Sequence, residues 1–238
     1  MRHLASSRLA SALATALTLV GSASAAEDEP ITLEFDGRVG MAVRADDPPD
    51  LAPVDRVGLD LEAAAYLAPT PSFSLGLAFQ HLGLGRERSA TSDLGTFEVS
   101  RDMNALWAAL RLDFGAGGRA GMGIEIGPGL AWQSVDLVGV TDLARGSTNF
   151  SCSGNDRPGL GLRAGLSGWV TAGSRFALTA GAGAEVLSLS SDVIDACATG
   201  AGSTVMLGLR FGVAYRLDVR PFISGGGRRA ARGGQVVR

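Results

Sequence analysis

The stretch 204–217 reads TVMLGLRFGVAYRL. Every second residue from Val205 through Leu207, Leu209, Phe211, Val213 and Tyr215 to Leu217 is apolar, while Gly208, Arg210, Gly212 and Arg216 stand between them. A period of two makes this a strand with two unlike faces. At about 3.3 Å per residue it runs to roughly 46 Å, well beyond the five or six residues usual in a globular strand. One face must meet an apolar medium along that length while the other keeps two arginines.

Seven more segments share the design. ITLEFDGRVGMAVR (31–44) sets Ile31, Leu33, Phe35, Val39, Met41 and Val43 against Glu34, Asp36, Arg38 and Arg44. RVGLDLEAAAYL (56–67) places Val57, Leu59 and Leu61 opposite Asp60, Glu62 and Tyr66, and FSLGLAFQ (73–80) places Phe73, Leu75, Leu77 and Phe79 opposite Ser74, Gly76 and Gln80. NALWAALRLDF (104–114), AGMGIEIGPGLAWQ (120–133), GLGLRAGLSGWV (159–170) and FALTAGAGAEV (176–186) alternate likewise, with Arg111, Asp113, Glu125, Gln133, Arg163 and Glu185 on the polar face. Pro128 is the awkward residue, tolerable at a bulge or strand end. The chain is therefore expected to be all-β with eight antiparallel strands.

Connection lengths alternate. Residues 68–72, 115–119 and 171–175 are short turns, whereas 45–55, 81–96, 134–158 and 187–203 are long and polar. Short turns at one rim and long loops at the other mark a transmembrane up-and-down β-barrel. Aromatic placement agrees: Phe35, Phe73, Phe114, Phe176 and Tyr215 fall on the apolar face beside the short-turn rim, and Phe79 and Trp132 toward the other, as two interfacial girdles require. Trp107 and Trp169 fall on the inward phase; either they plug the interior or the register slips there.

A soluble eight-stranded barrel of the lipocalin kind would invert the faces, with apolar residues inside. The Gly-rich polar face with charges of both signs, the alternating loops and the long strands favour the membrane form. Hydrocarbon cannot satisfy backbone groups, so a closed barrel with apolar residues outward is how strands span it. The polar face then points inward, where Arg38, Arg44, Arg111, Arg163, Arg210 and Arg216 meet Glu34, Asp36, Asp60, Glu62, Asp113, Glu125 and Glu185, six against seven, in a salt-bridged core close to neutrality.

The ends and composition set the compartment. Arg2 and Arg8, the apolar run Leu9–Val20 and the small residues Ala23–Ala25 read as a cleaved signal peptide over 1–25. A short periplasmic lead (26–30), the barrel (31–217) and a disordered periplasmic tail (218–238) follow. Without Arg2 and Arg8 the chain has 19 arginines against 24 acidic residues, which gives no support to nucleic-acid binding. It has no lysine, which excludes a phosphate-loop lysine or Schiff-base chemistry. In an oxidising compartment Cys152 and Cys197 read as one disulfide across two loops at the extracellular rim.

With these features in place, residues 31–217 resemble the small eight-stranded outer-membrane β-barrel proteins of Gram-negative bacteria, of the OmpA transmembrane-domain and OmpX kind. The last strand carries Arg210, Gly212, Tyr215 and Leu217 in the order polar, x, Gly, x, x, apolar, x, apolar, which looks like the family's assembly signal. The family usually stops at an aromatic residue ending that strand, whereas here DVRPFISGGGRRAARGGQVVR follows Leu217, so that either Phe222 is the strand end or a periplasmic tail extends past the barrel. The resemblance implies residence in the cell outer membrane among lipids and lipopolysaccharide, insertion by the barrel-assembly machinery and a monomeric barrel. It also implies a structural, adhesive or surface-display role through the loops. The alternatives are a narrow conduit for small apolar molecules, as in OmpW-like barrels, and a lipid A-modifying enzyme.

Candidate chemistry is sparse. Eight strands leave an interior that side chains fill, which argues against a diffusion pore. His81 lies where the third strand meets its loop, with Ser89, Ser92 and Asp93 downstream, but no tight His-x-Ser spacing, so no catalytic residue is assigned. Without the expected signal peptide, which holds His3, one histidine and an oxidised cysteine pair supply no metal-ligand set, and no cofactor is expected. GMGIEIG (121–127) and GLGLRAG (159–165) miss the dinucleotide spacing and lie within strands, so they line the barrel.

Overall fold

The computed structural model describes residues 31–46, 53–91, 95–115, 118–143 and 146–219. The expected signal peptide and lead, Ser92 and Asp93, and the tail beyond 219 with Phe222 lie outside the described residues.

Among the described residues twelve strands follow in order: β1 (Thr32–Arg44), β2 (Pro53–Asp55), β3 (Val57–Thr70), β4 (Phe73–Thr91), β5 (Gly95–Phe114), β6 (Ala120–Leu143), β7 (Gly146–Asn155), β8 (Gly159–Thr171), β9 (Phe176–Ser188), β10 (Val193–Ile194), β11 (Ala198–Thr199) and β12 (Ser203–Asp218). Eight of them close a ring in the order β4, β3, β1, β12, β9, β8, β6, β5, with β5 returning to β4. Closure is made by the two ends of the barrel sequence, since β1 pairs with β12 from Thr32↔Asp218 to Arg44↔Met206. All ring pairings are antiparallel. Opposite Pro128 the β5–β6 pairing lapses between Trp107↔Gly129 and Leu110↔Ile126, as a residue without an N–H requires.

The apolar face is outside. Met122 is 68% exposed, Leu160 70%, Leu166 65% and Phe211 56%, while Arg38, Arg111, Arg163 and Arg210 are buried. Water would punish so continuous an apolar belt, whereas lipid does not. Phe176 and Tyr215 stack at 5.0 Å beside the short-turn rim, and Phe79 and Trp132 lie 6.4 Å apart toward the other.

Two expected loops are largely strand. Residues 81–96 continue β4 and begin β5, and 134–158 continue β6 and form β7. At β4 the alternation is broken by a bulge: Gly83 pairs with Asp102 and Gly85 with Arg101, so Leu84 is the extra residue, and Gly85 adopts φ 103°. The bulge changes the inward phase from even residues such as Gln80 to odd Glu87, which hides the period from a linear reading. Along β6 both faces turn apolar, Val135 inward and Val138 outward, so alternation fades although pairing continues. β7 has no apolar period and is a strand because it pairs with β6 from Ser134↔Asn155 to Leu143↔Gly146.

The interior is also less uniformly polar than expected. Toward the long-connection rim Leu82, Met103, Leu187 and Met206 form a fully buried apolar layer with Trp107. Trp107 and Trp169 are both inside, so the register does not slip there.

Candidate functional site

The inward charges sort into three layers. Nearest the short-turn mouth, Glu34 accepts from Arg111 at 2.7 Å and Arg216 at 2.6 Å, and Arg111 also reaches Asp113 at 3.1 Å. Arg111 lies 4.4 Å over the Tyr66 ring and Arg216 4.8 Å over Trp169. Arg216 is the most open of the set, its side chain 28% exposed.

The middle layer is built on three arginines from three strands. Arg38 on β1 contacts Asp36 at 2.5 Å, Glu62 at 3.2 Å and Glu125 at 3.7 Å. Arg163 on β8 contacts Glu62 at 2.7 Å and pairs closely with Glu125. Arg210 on β12 contacts Asp60 at 2.6 Å and Glu62 at 3.3 Å and pairs closely with Glu185. Uncharged donors complete the layer: Tyr66 Oη donates to Glu125 at 2.9 Å, Thr179 Oγ1 to Asp36 at 3.1 Å, and Trp107 Nε1 to Gln80 Oε1 at 2.7 Å. The spacing i, i+2 along each strand is what presents these groups to one interior, and the antiparallel ring brings them together across it.

At the long-connection rim Arg44 leaves the main network. It pairs with Asp46 at 3.0 Å and donates to the Ala201 carbonyl, while Arg101 pairs with Glu87 at 2.6 Å. Burial pushes the Asp46 carboxyl up, but hydrogen bonds from the Thr204 hydroxyl, Arg44 and the Val205 N–H outweigh it and hold it below the ordinary carboxylate range. Gln133 donates to Asp156 and to the Ser190 carbonyl and accepts from the Ala201 N–H, tying β6 to the connection after β9. Sequence reasoning does not mark Gln80, Gln133, Trp107, Asp46 or the Arg101–Glu87 pair as site residues. The two glutamines and Trp107 do stand on the inward phase, the signal that could have found them.

The structure joins Cys152 on β7 to Cys197 in the β10–β11 turn, with Cα atoms 5.7 Å apart. The turn is tight: Asp195 and Ala196 both have positive φ, 47° and 57°, and Cys197 N–H donates to the Ile194 carbonyl at 2.8 Å. Asp195 accepts from the Asn155 N–H at 3.0 Å, a second tie between the same segments. The bridge closes 45 residues, worth about 4 kcal/mol in the chain-entropy model. Since β8 and β9 are already paired in the ring, the Cys152→Ser, Cys197→Ser chain is expected to lose less than that. The change should instead appear as faster proteolytic nicking within 144–158 and 190–202. Proteolysis of intact cells, with mass spectrometry of unreduced peptides for the cross-link, checks this; equal nicking rates would make the bridge irrelevant to the rim.

Other candidates stand apart. His81 Nδ1 lies 3.0 Å from Asn104 Oδ1. Gly212, Tyr215 and Leu217 lie along β12, with Tyr215 paired to Phe35 and Leu217 to Leu33, while Arg210 is in the middle layer. Among the described residues no group of His, Cys, Asp and Glu has the arrangement to hold a metal ion.

No protein-family model and no curated protein matches the chain. Among solved structures it is similar to Neisserial surface protein A at 12% identity, covering 78% of this chain and 96% of that one with a TM-score of 0.49. It is similar to the attachment invasion locus protein Ail of Yersinia pestis at 12% identity, covering 79% and 99% with a TM-score of 0.40. A major outer membrane protein from Thermus thermophilus is 15% identical, with 78% and 99% covered and a TM-score of 0.46. The architecture itself rests on this chain's own geometry: an eight-stranded antiparallel ring, apolar outside and ion-paired within, is that of the small outer-membrane β-barrels.

Proposed function

We propose that the protein is a closed outer-membrane barrel of the OmpA transmembrane-domain and OmpX kind whose role is structural, adhesive or surface-displaying. In this reading a signal peptide is removed, the assembly machinery reads Arg210, Gly212, Tyr215 and Leu217, and a monomeric barrel sits among lipid and lipopolysaccharide with its tail in the periplasm. The observation that carries it is the contrast between a filled interior and an elaborated rim. The hollow that Arg38, Arg163 and Arg210 share with the small residues of β8 and β9 measures about 20 Å³, room for one water. At the rim a cleft of about 510 Å³ opens between the 155–159 segment and the 188–195 segment beside the disulfide turn. A rigid, stapled surface on a plugged barrel serves recognition better than transport.

The protein should fractionate with the outer membrane, shift its gel mobility on heating in detergent, and give no conductance steps in a planar bilayer. Cells displaying it should bind a surface or matrix protein from a test panel, and lose that binding when 146–155 is excised. Stepwise conductance or uptake of small apolar solutes would favour the conduit instead. Loss of a lipid A product in His81→Ala would favour the enzyme.

A further inference from the structure

We propose that the barrel interior carries a one-sided water site: a file of buried water enters at the short-turn mouth, runs along the inward face of β8 and ends beneath Trp107. The position of the unpaired polar groups carries this. Among the described residues five buried side-chain atoms have no protein partner: Ser74 Oγ, Asp113 Oδ1, Arg163 Nε, Ser167 Oγ and Trp169 Nε1. β4 begins at the short-turn rim and β5 ends there, which places Ser74 and Asp113 near that mouth. β8 runs toward the same rim, so Ser167 and Trp169 lie between it and Arg163. None of the five is on the long-connection side of Arg163, where Gln80, Gln133, Arg44 and Arg101 all have hydrogen-bond partners. A polar group left bare in a protein interior is costly, and native interiors satisfy such groups with protein or with ordered water.

Missing side chains make the room. On the inward face of β8, Arg163, Gly165, Ser167 and Trp169 follow one another, with Gly181 and Gly183 beside them on β9. A Cβ on Gly165 or Gly183 would have only backbone atoms as its nearest neighbours. The hollow of about 20 Å³ lies here, lined by Arg163, Ser167 and Gly181 among others, and it has the size and the polar groups to hold one water. The next step toward the mouth is made in one register row across three strands. Asp113 on β5 stands opposite Gly123 on β6, and Gly123 opposite Ser167 on β8. A Cβ on Gly123 would lie 2.8 Å from Asp113 Oδ1 and 3.0 Å from Ser167 Oγ, so the two unpaired oxygens flank an open place. A water there donates to Asp113 and accepts from the Ser167 hydroxyl, and nearer the mouth the Trp169 N–H offers the next donor.

The file stops at Trp107. That indole is fully buried, and its N–H is already taken by Gln80 Oε1 at 2.7 Å. It closes over Gly161, and Leu82, Met103, Leu187 and Met206 complete an apolar layer that offers water no partner. Solvent therefore reaches the ion network from one side only, which hydrates its unpaired groups without opening a path through the barrel.

NMR spectra of the isotopically labelled full chain, folded in detergent micelles, read both ends of the file with water itself as the probe. The Arg163 Nε–H and Trp169 Nε1–H protons should show cross-peaks to water, and Trp107 Nε1–H should show none. Gly181→Ala adds a methyl group whose nearest atoms are the Leu166 carbonyl oxygen at 3.4 Å and Arg38 Nη1 at 3.9 Å, so it enters the hollow without a clash. It should abolish the Arg163 cross-peak and leave that of Trp169. A wild-type barrel with no water cross-peak at Arg163 is dry at its centre and overturns the proposal, whether or not the variant folds. A cross-peak at Trp107 as strong as that at Arg163 overturns it too, because water then passes the indole. So does an Arg163 cross-peak that survives in Gly181→Ala once the heat-dependent gel shift shows that variant folded, since the hollow is then not its source.

Discussion

Arg210→Ala is expected to destabilise the folded barrel by about 3–5 kcal/mol, the usual consequence of removing one partner from a buried ion cluster. The guanidinium bridges Asp60, Glu62 and Glu185 from β12, the strand that closes the ring against β1. Alanine leaves these carboxylates in place and removes the cation that three of them share, in a layer already short of positive charge. Urea titration followed by the heat-dependent gel shift measures the loss. Arg88→Ala is the comparison: that side chain is 58% exposed and pairs with Glu98 at the rim, so its removal should cost at most about 1 kcal/mol. Equal effects of the two substitutions would mean that the interior is wet enough to screen charge.

Trp107→Ala should be of similar size, about 3–5 kcal/mol, for a different reason. The indole is fully buried in the apolar layer above the ions, and it fits because Gly161 has no side chain beneath it. A Cβ there would lie 2.7 Å from the Trp107 Cη2. Truncation opens a cavity and strips Gln80 Oε1 of its donor, while Arg163 loses the ring 5.5 Å from its guanidinium carbon. Trp107→Phe separates the contributions, keeping most of the packing but leaving the Gln80 carbonyl unpaired at about 1–3 kcal/mol. Denaturant midpoints of the three chains check the order. A planar-bilayer record of Trp107→Ala adds a functional reading, since conductance appearing in that chain alone would identify the indole as the plug.

How much is legible in the chain varies with the element. Strands β1, β3, β8, β9 and β12 follow their alternation to within a few residues, because lipid on one side and a narrow ionic interior on the other demand unlike faces at every step. β4 escapes beyond Gln80 because one extra residue at Leu84 changes the inward phase, and the far end of β6 escapes because Val135 and Val138 make both its faces apolar. β7 has no period of its own and takes its conformation from the hydrogen bonds of β6. The charged residues can be assigned to the interior from phase alone. Their near-neutral count of six against seven, however, conceals an uneven distribution, since Arg44 turns to Asp46 at the rim and leaves three arginines to five carboxylates at mid-barrel.

Period gives two unlike faces but not which of them is inside; the Gly-rich, doubly charged polar face, the length of the strands and the alternation of short and long connections assign a solvent to each, and from that follow the closed antiparallel ring and the inward direction of the arginines. Which groups meet is a property of the folded ring: the Arg210 contacts with Asp60 and Glu185, Trp107 over Gly161, and the Cys152–Cys197 bridge fixed beside the Asp195 turn. Arg210 and Asp60, for example, are 150 residues apart in the chain. Such pairings are set by the shear at which the ring closes and by a single bulge, quantities to which local alternation is blind.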